Sequence, residues 1–186
     1  MLGQAVADVL PGMPFAAEAR IVCRRQMLDL PRRSFPSREA AAHAEQRARE
    51  RFENLRRIGA PRQTVRTAEC DWFGAEETAE LACAAADGRL EAAVGRCLPA
   101  EIQVIAIGPW KFVAWPGEFF VEYALAVKAR SPDTFVITLA NGELQGYIAT
   151  EEAAAQGAYE ATNAVFDPAG GALVVEATLA LLDTVG

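Results

Sequence analysis

The chain has 186 residues, of which 52% are hydrophobic, enough to bury a real core. It reads as one domain over 1–186, with a mostly helical part at 1–99 and a sheet-and-site part at 100–186. The net charge of −7 is unevenly spread: residues 1–67 hold 13 Lys and Arg against 7 Asp and Glu, and residues 68–186 hold 5 against 18. So acidic a body repels phosphate backbones and argues against a nucleic acid partner, while no apolar run approaches the length of a transmembrane segment.

In chain order, Leu2, Ala5, Val6, Val9 and Leu10 predict a short amphipathic helix that stops at Pro11-Gly12. The opening residues lack a charged leader and a long apolar core, so no signal peptide is read and a cytoplasmic chain is expected. A start directly in a helix suits a boundary inside a larger domain. Ala19 to Leu30 reads as a strand with interspersed arginines, ended by Pro31. Ser37 opens the longest helix, 37–58, with Glu39 in its first turn. Ala41, Ala44, Ala48, Phe52, Leu55 and Ile58 form its inner stripe, and Glu45 with Arg49 and Glu53 with Arg57 are i,i+4 pairs on the wet side. His43, the single histidine, lies on this alanine-rich helix and reads as a structural residue. A second helical region, 61–90, is expected to break near Asp71-Trp72-Phe73-Gly74 and to pair with the first over a sheet. Residues 88–99 read as a loop. The cysteines at 23, 70, 83 and 97 show no CxxC spacing, so buried or half-buried reduced thiols are expected.

The stretch from Ile102 to Thr150 organises the rest. Ile102, Val104, Ile105 and Ile107 form one strand, and Phe112, Val113, Ala114 and Trp115 form another, with Gly108-Pro109 turning between them. Pro116 ends the second strand because it has no amide hydrogen to donate, and Gly117 lets the chain turn into a helix, with Glu118 in its first turn. An acid there satisfies the helix dipole. It also stands at the carboxyl end of a strand, where sheets that meet helices build their sites. Tyr147 occupies the same kind of position after the strand from Thr134 to Leu139 and the loop Asn141-Gly142-Glu143-Leu144-Gln145-Gly146. If the two strands are neighbours, Glu118 and Tyr147 face each other across the rim.

Thr150-Glu151-Glu152 starts a short helix that Gly157 ends. Phe166 to Gly171 leads to a last helix with Leu173, Val174, Ala177, Leu181 and Leu182 on its inner face. Gly170-Gly171 lacks the dinucleotide and P-loop patterns and reads as a plain helix start. The serines at 34, 37 and 131 sit in turns or caps without a nucleophile elbow, which argues against a serine hydrolase contained in this chain. Trp110, Trp115, Phe119 and Phe120 bracket the Pro-Gly-Glu turn and read as mainly core, with one open to line a groove.

The segments WPGEFFVE (115–122) and LANGELQGYIATEEA (139–153), followed by AYEA (158–161), resemble the C-terminal half of the neutral/alkaline, non-lysosomal ceramidase-like catalytic domain. The resemblance covers nearly the whole chain. It implies a small mixed α/β sheet packed with helices, half of a larger domain, in a zinc-dependent hydrolase of N-acyl lipid amides. It also implies that Glu118 and Tyr147 are two of the zinc ligands. The family's histidine ligands, its proposed serine nucleophile and most of its lipid groove belong to an N-terminal half without a counterpart here. The resemblance therefore implies a chain inactive alone, completed by an N-terminal half-domain or assembled as a homo-oligomer through exposed apolar surface. Full-length relatives are often secreted. The alternatives are a non-catalytic interaction subunit and a metal hydrolase acting on a non-lipid amide.

Overall fold

The computed structural model describes residues 2–185. Helix α1 (Leu2–Val9) runs into a 3-10 turn at Leu10–Gly12, where Pro11 stops it. Strand β1 (Ile21–Leu28) precedes α2 (Arg38–Arg57), whose cap Ser37 accepts a hydrogen bond from the Ala40 amide at 3.2 Å. Helices α3 (Arg62–Ala86) and α4 (Arg89–Val94) follow. Strands β2 (Ala100–Ile107) and β3 (Trp110–Ala114) form a hairpin whose turn holds Gly108 at φ 58°, a conformation that favours glycine. The rest comprises β4 (Glu118–Phe119), α5 (Val121–Arg130), β5 (Thr134–Ile137), β6 (Tyr147–Ile148), α6 (Glu151–Gln156), α7 (Tyr159–Thr162) and α8 (Ala169–Asp183).

The fold is α/β, a small mixed sheet packed with helices. Four strands lie in the order β1-β2-β3-β5, antiparallel until the last pair, which is parallel and joined through α5. Because side chains alternate along a strand, Ile102, Val104 and Ala106 of β2 and Val113 of β3 point to one face and are buried there. They meet Val127 of α5 and Val174, Leu181 and Leu182 of α8 in one core. Trp115 lies at its centre, wholly buried, with its indole N–H donating to Thr178 Oγ1 at 2.9 Å. The opposite face of the sheet carries no comparable cover, and Ile107, Trp110, Phe135 and Ile137 are exposed on it.

Several expectations need correction. Glu118 lies in the two-residue strand β4, not in a first helical turn; α5 starts later, with Phe120 at its cap position and Glu122 as the acid in its first turn. Helix α3 runs through 71–74 without a break. Gly74 is there for space rather than for a bend, since a Cβ on it would stand 2.2 Å from Thr162 Oγ1. The expected loop at 88–99 contains α4, opened by Gly88 in the left-handed region. Helices α2 and α3 pack along each other, but α3 leans on α7 and α4, and it is α8 and α5 that cover the sheet. Leu173 and Ile58 are exposed rather than inward. Cys23 is exposed too, since it points to the uncovered face. The ion pair on the wet side of α2 joins Arg49 to Glu53 at 2.9 Å.

Candidate functional site

The two suspect motifs are stitched together by backbone hydrogen bonds. Strands β3 and β5 are parallel neighbours, so both leave the sheet at the same edge. Beyond that edge the Ala140 amide donates to the Trp115 carbonyl at 2.9 Å and the Leu139 amide to the Gly117 carbonyl at 3.1 Å. The Leu144 amide donates to the Pro116 carbonyl at 2.6 Å. Pro116 lacks a donor but keeps an acceptor, which is the group used here. Leu139 and Asn141 take positive φ, which lets the loop double back, and Gly142 approaches Pro116 so closely that a Cβ would stand 3.0 Å from Pro116 Cβ. The loop then runs beside the Pro-Gly-Glu corner as a second, parallel ladder. In it Glu118 is the register partner of Tyr147, and Phe119 that of Ile148. Paired positions on adjacent strands hold their side chains on one face, so the acid and the phenol are direct neighbours.

Each side of this ladder is anchored. Phe119 packs on Trp115, ring centroids 4.8 Å apart, and meets Tyr123 edge-on at 6.4 Å. Ile148 is buried in the main core. Gly146, at φ 73°, lies so close to the end of α7 that a Cβ would stand 2.3 Å from the Asn163 carbonyl oxygen. The α7 segment is held in turn by Arg33, whose guanidinium donates to the carbonyls of Ala161, Thr162 and Ala164 at 3.0, 2.7 and 3.1 Å. Burial holds the Arg33 pKa below its ordinary value.

The Tyr147 phenol is held above the usual tyrosine value, first by burial, then by the charge and hydrogen bonding of Glu118, and further by Tyr159 and Glu160. The surroundings therefore favour the neutral phenol, and a cation placed there would reverse that preference. Tyr147 also lines a groove of about 630 Å³ together with Tyr159, Arg96, Leu90, Val94 and Phe166. Its walls mix hydrocarbon with a few polar groups, the usual make-up of a small-molecule site.

Glu118 and Tyr147, as register partners, offer two oxygens, and zinc in catalytic sites takes three protein ligands. Among the described residues no group of three His, Cys, Asp or Glu stands close enough to hold a metal ion. His43 is exposed on α2, well apart in sequence and packing from the β4–β6 ladder. Glu118 and Tyr147 alone are thus fewer ligands than a catalytic zinc takes. Arg33 is not marked by the sequence as part of this neighbourhood, and Gly146, Tyr159 and Glu160 enter only within the segments 139–153 and 158–161. Arg33 had no local signal, because its partners lie 128 to 131 positions away. Among the described residues no helix is long and apolar enough to cross a membrane. Comparison with family models, with curated proteins and with solved structures finds no match.

Proposed function

We propose that this chain is the glutamate- and tyrosine-bearing part of a neutral ceramidase-like, zinc-dependent amide hydrolase, inactive by itself and completed by a histidine-bearing partner. The observation that supports the reading is the parallel register of Glu118 with Tyr147, which makes a carboxylate and a phenol neighbours on adjacent strands. A metal bound there would supply a more acidic water and a polarised amide carbonyl. The residues of this chain would hold and orient rather than react. Glu118 supplies a charged oxygen, Tyr147 a phenol oxygen that gives up its proton on metal binding, and the adjoining groove apolar wall for the acyl part of a lipid amide. Two oxygens alone leave zinc short of ligands, so the chain by itself is expected to take up no stoichiometric zinc.

The test is a zinc titration of the chain alone and of the chain co-expressed with the histidine-bearing half of a neutral ceramidase-like domain. One zinc per reassembled pair is expected, with affinity lowered at least about tenfold by Glu118→Ala or Tyr147→Phe, the scale seen when groups that hold a metal are lost. No zinc in the pair, or affinity unchanged by Glu118→Ala, would overturn the proposal. A second reading, a non-catalytic interaction subunit, is favoured by the uncovered apolar face of the sheet. Under it Glu118 is a solvated acid and Tyr147 a groove-wall residue, and neither substitution alters metal uptake.

A further inference from the structure

We propose that the open face of the four-stranded sheet is the contact between two copies of this chain, each laying its segment 2–20 along the flank of the other. The register sets apolar side chains in rows across the strands. Ile21, Ile107 and Trp110 form one row, and Cys23, Ile105, Phe112 and Phe135 form the next. Phe112 and Phe135 stack at 5.5 Å and Trp110 leans on Phe135 at 5.9 Å, so the rings form one plate rather than scattered spots. Four strands at about 4.8 Å and some five residues at about 3.3 Å give roughly 320 Å² in projection. A contiguous apolar patch of that size matches the largest one on a typical monomer, and such patches are often functional.

Charge decides against a charged partner. Arg25, in the next row, is already neutralised by Glu101 at 3.1 Å, and Lys128 at the margin sits over the Phe135 ring at 5.6 Å. Apart from Lys128 at its margin, the plate offers no unpaired charge among the described residues to an acidic or a basic surface. An equally apolar plate is what a second copy presents, and a contact through it leaves the charged surfaces of the two copies, each carrying −7, at its rim.

Area points to the segment before β1. A stable interface needs about 800 Å² per partner, so the plate alone falls short. Residues 2–20 are exposed throughout, and α1 packs mainly on the turn that follows it. Yet this segment carries Leu2, Val6, Val9, Leu10, Met13 and Phe15, the last 91% exposed. Stacked sheets stand about 10 Å apart, which leaves no room for a helix about 10 Å wide between them, so the segment belongs at the flank of the opposing sheet. From Met13 to Arg20 an extended chain reaches about 26 Å, enough to cross. Tyr147 opens on the groove formed with α3 and α4, so the contact leaves the Glu118–Tyr147 ladder accessible, and zinc uptake and dimerisation fail separately.

Sedimentation equilibrium of the full chain, with the rate of Cys23 alkylation as a second readout, tests the contact. A dimer with slowly alkylated Cys23 is expected. Phe135→Asp should raise the dissociation constant at least about tenfold and speed alkylation in step, as loss of a central interface anchor does. Phe15→Asp, at a side chain that supports nothing in its own fold, should weaken the dimer too, which keeps the test open if the sheet variant unfolds. A monomeric wild type overturns the contact, including one that binds neutral lipid vesicles or one whose Cys23 is shielded by its own segment. A dimer indifferent to both substitutions overturns it as well.

Discussion

A Cβ built on Gly171 would stand 2.1 Å from Tyr123 Cζ, so this glycine, in the first turn of α8 as its helix-start reading has it, also makes room for a ring. Tyr123 uses that room to donate its O–H toward the carbonyls of Ala149 at 2.9 Å and Pro168 at 3.2 Å, tying α5 to the starts of α6 and α8. Gly171→Ala should therefore destabilise the fold by about 1–3 kcal/mol, as overpacking does, measured as a lowered urea midpoint. The same phenol gives the chain an alkaline limit. Burial first, then the carboxylates of Glu151, Glu122 and Asp167, raise its pKa above the ordinary tyrosine value. The unfolded chain thus loses this proton at lower pH than the folded one. The contribution is complete below about pH 10 and fades as pH climbs through the folded pKa, so urea melts should weaken above that point, and Tyr123→Phe should flatten that decline.

At the scale of elements, the β4–β6 ladder is only two residues long on each side and rests on its supports. Arg33 is the most exposed to test, because three carbonyls at the end of α7 depend on one guanidinium. Arg33→Met keeps the hydrocarbon stem and removes the donors. It should lower stability by about 1.5–3 kcal/mol, the range for hydrogen bonds to a charged group, read from chemical denaturation. It should also loosen the neighbouring ladder, seen as faster amide exchange at Phe120, whose N–H donates to Ile148 across the strands at 3.2 Å. Gly146→Ala attacks the same ladder from the other side, since it joins a strained φ to a collision with Asn163.

Across the whole molecule, the basic first third and the acidic remainder meet in ion pairs between elements. Arg51 of α2 bonds Asp71 of α3 at 2.7 Å, Arg38 pairs with Asp87, and Arg32 pairs with Glu91. Arginines that read as a solvated face along one helix thus also link separate parts of the chain. All of these pairs are exposed, and such pairs contribute about 0–1 kcal/mol each, so high salt should lower the thermal midpoint by only a few degrees in calorimetry.

What the sequence determined by itself was local. The alternation of β2, the stop at Pro116, the cap at Ser37 and the turn at Gly108 all follow from near-neighbour sterics and hydrogen-bonding capacity. The tertiary structure decided what depends on distant partners. It ran α3 through Gly74 because Thr162 needed the space, and it moved Glu118 from a helical turn into a strand because the returning loop offered it a ladder. It also showed one face of the sheet bare, where the strand pattern gave apolar residues on both sides but not which side the helices would choose. Periodicity records which residues avoid water; only the packing of elements far apart in the chain settles what each of them meets.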